Sequence, residues 1–193
     1  MENNLSLLTD FYQLTMAQGY FSEGKDERAV FELFYRSNPC GNGYSVFAGL
    51  NQIIDYIQNI NYTSEDLEYL REQGLDPDFL DYLSDFTFTG DIYSVPEGSI
   101  VFPEEPLLKV EAPIIQAQII ETTLLNFVNH QSLIATKAAR IAEAAGENSV
   151  LEFGLRRAHG PDAGLYGARA AVIGGCSGTS NVLTGRKFGV NIS

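Results

Sequence analysis

The chain has 193 residues, of which 45% are hydrophobic, and a formal net charge of −13 at pH 7. A chain of this length and composition can bury a core in one or two domains, which excludes a disordered protein. Because no basic tract offsets the negative charge, we expect no binding to nucleic acid or to a membrane surface.

Cys40 and Cys176 are the two cysteines, and they do not form a CxxC pair. We interpret both as reduced structural thiols and expect no metal site among the protein's own side chains. The N-terminus lacks the basic start and apolar run of a signal peptide, and no apolar run reaches the ~20 residues of a membrane span. These features predict a cytoplasmic protein.

Up to residue 112 the pattern predicts a mixture of helices and short strands. The predicted elements, in chain order, are a helix from Asp10 to about Phe21, a strand over 28–36, a turn over 39–43, helices over 45–58, 63–73 and from 76, and short strands between 86 and 111. Two helix starts have local signals, since Thr63 and Asp66 match a capping box and Pro77 suits a first turn. We expect a small antiparallel sheet in an α+β domain over 1–112.

A long helical segment follows, beginning at Pro113 and ending before Gly146. Apolar residues cover several of its faces, and we expect a break near Asn129 and His130. We treat 113–147 as a helical connection and His130 as a packing residue.

Beyond Gly146 the pattern changes to an alternation of strand and helix, which is typical of a parallel α/β unit. SVLEF reads as a buried strand, helices are predicted over 161–173 and 181–188, and a last strand falls at 190–192. An α/β barrel typically needs ~250 residues. The segment 148–193 is therefore either a small open α/β layer or the first part of a barrel that is incomplete in this chain.

Aromatic and basic residues follow the first strand of this predicted unit. Adjacent arginines such as Arg156 and Arg157 can each hold phosphate oxygens through two hydrogen bonds. Phe153 could stack on a flat ring. The alternatives are surface ion pairs with Glu152, Asp162 or another carboxylate for the arginines, and a core position for Phe153.

Five further residues are candidates for an anion site. His159 could act as a general base, a metal ligand or a phosphate contact, or as a hydrogen-bonding structural residue. Ser180 and Asn181 could cap a helix while neighbouring amides face an anion. Lys137 and Arg140 stand three apart on one side of a helix, either as solvated charges or as part of the site.

Six long segments resemble bacterial nicotinate phosphoribosyltransferases. They are LLTDFYQLTMAQGY (7–20), AVFELFYRSNPCGNGYSVFAGL (29–50), GDIYSVPEGSIVFPEEPLLKV (90–110), QAQIIETTLLNFVNHQSLIATKAAR (116–140), LEFGLRRAHGPDAG (151–164) and GTSNVLTGRKFG (178–189). The resemblance implies an α/β fold of the type II phosphoribosyltransferases, in which a sandwich-like N-terminal domain precedes an irregular α/β barrel.

The resemblance also implies an activity. Family members are dimeric cytosolic enzymes of NAD biosynthesis that join nicotinate to phosphoribosyl pyrophosphate, giving nicotinate mononucleotide and pyrophosphate. They couple turnover to ATP hydrolysis, with Mg²⁺ on the pyrophosphate.

By the same resemblance, residues of this chain take roles in a site shared between two subunits. Phe153 stacks on the pyridine, and Tyr12 of the other subunit, with Asp10 beside it, stacks from across the interface. Arg156 is the catalytic contact, Arg157 binds substrate, and the loop with Ser180 and Asn181 lines the pocket.

One family feature has no match here. The histidine that ATP phosphorylates, in an Ala-His-Ser motif, is expected beyond Ser193, and neither His130 nor His159 corresponds to it. We therefore expect these 193 residues by themselves to be inactive. The alternatives are a non-catalytic dimerisation or interaction module, and a quinolinate or nicotinamide phosphoribosyltransferase; the FGLRR and TDFYQLTMA segments favour nicotinate.

Overall fold

A computed structural model describes residues 4–41 and 43–193. The elements of these residues, in chain order, are α1 (Phe11–Ser22), β1 (Arg28–Leu33), β2 (Ser45–Val46), α2 (Leu50–Asn59), α3 (Ser64–Glu72), α4 (Pro77–Ser84), β3 (Asp91–Ser94), β4 (Ile100–Val101), β5 (Leu108–Pro113), α5 (Ile114–Ala145), β6 (Leu151–Glu152), α6 (Pro161–Ile173), β7 (Gly178–Thr179) and α7 (Val182–Phe188). Short 3₁₀ turns lie at Pro39–Gly41 and Leu155–Arg157. Asn42, in the predicted turn, lies outside the described residues.

The chain forms two compact units that interleave along the sequence. Unit one comprises the residues up to Leu33, Asn51–Ser94 and Leu108–Asn126, and unit two comprises Phe34–Leu50, Val95–Leu107 and Phe127–Ser193. The predicted domains 1–112, 113–147 and 148–193 are each continuous in sequence, whereas each unit combines separate segments. The three domains stay a prediction. None of the helices in the described residues combines the length and apolar character needed to cross a bilayer.

Unit one contains a three-stranded antiparallel sheet in the order β1-β5-β3. The central strand β5 alternates buried and half-buried residues, so Leu108, Val110 and Ala112 face the core. The predicted small antiparallel sheet is confirmed, although β4 pairs with β2 instead of joining it. The predicted helix starts are also confirmed: Thr63 and Asp66 form a reciprocal capping box, and α4 begins at Pro77.

Two sequence predictions in the middle of the chain are wrong. The helix expected from residue 45 begins only at Leu50, because Ser45 and Val46 pair with β4 and Gly49 has a φ of +117° that a helix cannot accommodate. The break expected near Asn129 does not occur, and α5 is continuous over 32 residues. No proline or glycine interrupts it, and asparagine and histidine cost a helix only tenths of a kcal/mol.

Unit two contains the predicted parallel strand pair. β6 pairs with β7, and Thr179 forms a further parallel bridge to Ile192. Helices α6 and α7 begin at the predicted positions, the first at Pro161 and the second after its cap Asn181. The strand at SVLEF is shorter and less buried than predicted, with Leu151 43% exposed. Among the described residues this sheet does not close, as expected for an incomplete barrel.

Candidate active site

The parallel pairing of β6 and β7 brings two predicted site segments to one edge of the sheet. Leu151 stands opposite Gly178, and Glu152 stands opposite Thr179. The residues that follow, Phe153 and Ser180, therefore leave the sheet side by side. Neighbouring backbones are joined there, since the Ser180 N–H donates to the Glu152 carbonyl oxygen at 3.0 Å.

A buried polar contact stabilises this edge. The hydroxyl of Thr179, which is fully buried, donates to Oε2 of Glu152 at 2.6 Å. The other carboxylate oxygen accepts the backbone N–H of Gly154. Sequence reasoning missed this pair, because nothing in the spacing of Glu152 and Thr179 shows that the register aligns them. Both carboxylate oxygens of Glu152 therefore form hydrogen bonds within the chain, and they hold the start of the loop that carries the arginines.

The two arginines are exposed on a 3₁₀ turn directly after this loop. The turn is closed by a 2.8 Å bond from the Arg157 N–H to the Gly154 carbonyl oxygen. Among the residues that the structure describes, neither arginine forms an ion pair with Glu152, Asp162 or another carboxylate, so that alternative is wrong. Both guanidinium groups can therefore meet an anion from solvent.

Phe153 is 57% exposed, which excludes the alternative of a core position. An aromatic ring exposed beside two arginines suits a flat anionic ligand, because the ring stacks while the guanidinium groups bind charge.

Asn181 is occupied by structural contacts. Its Oδ1 accepts the N–H groups of Leu183 and Thr184 at 3.1 and 3.3 Å, and its Nδ2 donates to the Gly164 carbonyl oxygen at 3.2 Å. The residue is 4% exposed. It caps α7 and fastens it to α6, while Ser180 is half-buried at the strand end. A contact of either residue with substrate stays a prediction.

Three candidates for phosphate binding lie on the surface of unit two. His159 and Lys137 are exposed, and Arg140 is 3.8 Å from Glu143 and lies over the ring of Tyr44. Within the described part of the chain, none of the three is hydrogen-bonded or ion-paired to the strand-end residues. Their role in an anion site stays a prediction.

Asp10 and Tyr12 belong to unit one, at the start of α1. Asp10 occupies the N-cap position but makes no side-chain cap; its carboxylate accepts the Thr122 hydroxyl at 3.1 Å. The side chain of Tyr12 is 55% exposed, and its hydroxyl oxygen accepts Nε2 of Gln13 at 3.3 Å. The exposed ring is available to a partner.

A partly buried ion pair in unit two also escaped sequence reasoning. Arg169 of α6 donates through Nη1 and Nη2 to both carboxylate oxygens of Glu97, at 2.9 and 2.6 Å. Glu97 also accepts the backbone N–H of Gly49 at 2.7 Å. The side chains are 14% and 18% exposed. This pair anchors the helix that follows the arginine loop.

Cys176 is a buried free thiol, and burial raises its pKa, with Glu152 adding a smaller effect. The raised pKa keeps the sulfur protonated and unreactive at neutral pH, which agrees with a structural role. The side chain of Cys40 lies outside what the structure describes.

Solved structures share this fold. The chain superposes on human nicotinic acid phosphoribosyltransferase with a TM-score of 0.89 at 39% identity, covering 96% of this chain and 38% of the human one. It superposes on nicotinate-nucleotide pyrophosphorylase from Pyrococcus furiosus with a TM-score of 0.79 at 26% identity, covering 100% and 42%. The fold is that of the type II phosphoribosyltransferases.

The sequence comparisons identify the family within that class. Residues 7–129 match the nicotinate phosphoribosyltransferase N-terminal domain. Nicotinate phosphoribosyltransferase of Bacillus subtilis (strain 168) is 52% identical over 194 aligned positions, covering all of this chain. The chain belongs to the nicotinate phosphoribosyltransferase family. It spans about 40% of the length of the Bacillus subtilis relative.

Proposed function

We propose that the protein carrying this sequence is a nicotinate phosphoribosyltransferase of NAD biosynthesis. It joins the ring nitrogen of nicotinate to C1′ of phosphoribosyl pyrophosphate, and the bond from C1′ to the pyrophosphate oxygen breaks. The products are nicotinate mononucleotide and pyrophosphate. The observation that carries the proposal is the exposed Phe153 beside Arg156 and Arg157 at a parallel strand edge, in a chain of this family.

The chemistry of the transfer fits these side chains. The transition state is oxocarbenium-like, so catalysis consists of placing the ring nitrogen and stabilising the charge of the departing pyrophosphate. Stacking on Phe153 places the ring, and Arg156 and Arg157 supply positive charge. We propose that Tyr12 of a second subunit, with Asp10 beside it, completes the pocket in a cytoplasmic homodimer.

Magnesium enters this proposal bound to the pyrophosphate of the substrate, where it neutralises charge. Within the described residues, no group of three or more His, Cys, Asp or Glu side chains could hold a metal ion. No step is assigned to a resident metal. Coupling to ATP hydrolysis is likewise proposed from the family resemblance.

The proposal concerns a polypeptide of the relatives' length, because this chain spans about 40% of the Bacillus subtilis relative. We expect the 193 residues by themselves to transfer phosphoribosyl groups far more slowly, since a partial set of charge-stabilising groups does not give a proportional part of the rate.

The first test is formation of nicotinate mononucleotide from nicotinate, phosphoribosyl pyrophosphate and magnesium, with and without ATP. We expect a rate near ~1 per second for the full-length polypeptide. Arg156→Ala should lower kcat by about 100-fold, the scale of one charge-stabilising donor. Arg71→Ala, which removes a surface ion pair with Glu68, serves as the control and should leave the rate unchanged.

Quinolinate and nicotinamide are assayed in parallel, because the Pyrococcus furiosus structure shows the same fold in a pyrophosphorylase. Turnover of either one in preference to nicotinate would assign a different pyridine substrate. No turnover of any of the three would favour the interaction module.

A second test concerns the contribution of Tyr12. Tyr12→Ala should weaken nicotinate binding by about 1 kcal/mol, the scale of an aromatic contact. Calorimetric titration of the dimeric protein measures this loss. An unchanged affinity with the dimer intact would remove Tyr12 from the pocket.

A further inference from the structure

The start of α1 is joined to α5 by a row of side-chain hydrogen bonds in unit one. The hydroxyl of Thr123 donates to the Leu8 carbonyl oxygen at 2.5 Å, and the hydroxyl of Thr122 donates to Asp10 at 3.1 Å. Thr9 donates to the carbonyl oxygen of Ile119 at 3.4 Å. These bonds fix the backbone on the N-terminal side of Tyr12.

Gln13 continues this row from within the core. Its side chain is 1% exposed, and its Nε2 lies 2.9 Å from Oε2 of Glu121 and 3.3 Å from the hydroxyl oxygen of Tyr12. Thr122 lies at the limit of a third bond, 3.5 Å away. A reversed amide would point its oxygen at the Glu121 carboxylate, which is unfavourable. Glu121 therefore determines which end of the amide faces Tyr12.

The hydrogen bond from Gln13 matters for Tyr12 because the Tyr12 side chain is exposed. A side chain that is 55% exposed would otherwise sample several rotamers, and ordering it on binding a ligand costs free energy. A hydrogen bond to the phenol oxygen restricts the ring beforehand. Because the oxygen accepts this bond, the O–H proton of Tyr12 stays available for another acceptor.

We infer that Gln13, oriented by Glu121, is a positioning residue that holds the ring of Tyr12 ready for nicotinate. The inference rests on the proposed function for the importance of Tyr12, but the contact itself is a property of this chain. Gln13 has no direct contact with substrate in this account. Its buried Oε1 has no hydrogen-bond partner among the described residues, so burying the amide carries a cost that the bonds of Nε2 offset.

The first experiment is a double-mutant cycle on nicotinate affinity in the dimeric full-length protein. Gln13→Leu and Tyr12→Phe should each weaken nicotinate binding about 2-fold, less than Tyr12→Ala does, and the double variant should be no weaker than the poorer single variant. Tyr12→Phe keeps the ring and removes only the contact at the hydroxyl. If the fold losses of nicotinate affinity in the two single variants multiply in the double variant, the inference is wrong.

Gln18→Leu is the matched control. Gln18 lies on the same helix, and its amide oxygen accepts the Asp76 N–H at 2.8 Å, away from Tyr12. This variant should lower the melting temperature without changing nicotinate affinity. If it weakens nicotinate binding as much as Gln13→Leu does, the effect of Gln13 is one of general stability and the inference is wrong.

A second readout needs no substrate. With 3-fluorotyrosine placed at position 12, the ¹⁹F resonance should move toward that of a freely rotating tyrosine in Gln13→Leu but not in Gln18→Leu. An unmoved resonance would overturn the inference even where Tyr12→Ala weakens nicotinate binding. Conversely, an unchanged affinity in Tyr12→Ala together with a moved resonance would contradict the proposed role of Tyr12 and leave the contact with Gln13 established.

Discussion

Unit one and unit two differ in the size of the side chains that form some of their core clusters. In unit one, Phe79, Leu80 and Leu83 of α4 are almost fully buried. The ring of Phe79 belongs to a cluster of aromatic rings with Phe21, Tyr82 and Phe86. In unit two Phe47 is also fully buried, but two core clusters among the described residues consist mainly of alanines. Their buried members are Val46, Ala48, Ala135 and Ala170 in one, and Ala138, Ala171 and Cys176 in the other.

The difference has a physical consequence. Large side chains keep elements apart and stabilise mainly through the apolar area they bury. Small side chains let backbones approach closely, so buried backbone groups need polar partners nearby. Unit two shows such partners: the Thr136 hydroxyl accepts the Val46 N–H at 2.9 Å, and Ser132 bonds the N–H and carbonyl of Ala48. The stability of unit two should therefore depend on a few polar contacts and on positions where two backbones approach too closely to admit a larger side chain.

The largest expected effect comes from the partly buried ion pair of unit two. Glu97→Gln leaves the largely buried charge of Arg169 without its carboxylate, which should lower the free energy of unfolding by about 3 to 4 kcal/mol. Urea unfolding followed by circular dichroism measures this loss. Asp91→Asn is the control, because the Arg28–Asp91 pair has side chains 56% and 62% exposed and should contribute less than about 1 kcal/mol. Equal losses in both variants would contradict the comparison.

The second largest effect tests how closely the backbone at Gly174 packs against α5 in unit two. A Cβ added at Gly174 would lie 2.2 Å from the Ala135 carbonyl oxygen, although the φ of −75° suits any residue. Gly174→Ala should therefore destabilise the protein by about 3 kcal/mol through overpacking. Gly19→Ala in α1 meets nothing within 4 Å and should stabilise by about 0.5–1 kcal/mol. Thermal unfolding of both variants checks the opposite signs, and a stable Gly174→Ala protein would show that the backbones of unit two can separate.

The smallest effect belongs to unit one and depends on pH. Burial raises the pKa of Tyr56 from 10.0 to about 12, with a hydrogen bond to Thr123 opposing the rise. The folded state then holds a proton that the unfolded state loses above pH 10. This contribution to stability is fully present below pH 10 and falls by about 2 kcal/mol as the pH approaches 12.

Urea unfolding between pH 9 and 12 measures this dependence. Burial also raises the pKa of Tyr62 and Tyr82, so the whole protein should lose stability more steeply than Tyr56 alone requires. Tyr56→Phe should reduce the slope, whereas Tyr69→Phe, at an exposed position, should not. An unchanged slope in Tyr56→Phe would mean that the folded state does not protect that phenol.

Local signals allowed much of the fold to be predicted. Thr63 with Asp66, Pro77 and Pro161 begin helices where the sequence indicated, because caps and first-turn prolines act within four residues of the chain. The parallel unit was predicted from the alternation of strand and helix. That Phe153 lies beside Ser180 could not be predicted. It results from the pairing register of β6 and β7, in which Glu152 stands opposite Thr179.

Three-dimensional packing decided the rest, since it joins residues that are far apart in the chain. Ser45 and Val46 suit a helix locally, but they pair with Ile100 and Val101 instead. By itself, the sequence determined the family, the helix starts and the identity of the exposed ring and arginines. Only the tertiary structure decided that Glu97 meets Arg169 and that Glu121 orients Gln13 against Tyr12, because partners 72 and 108 residues apart become neighbours only after the chain has folded.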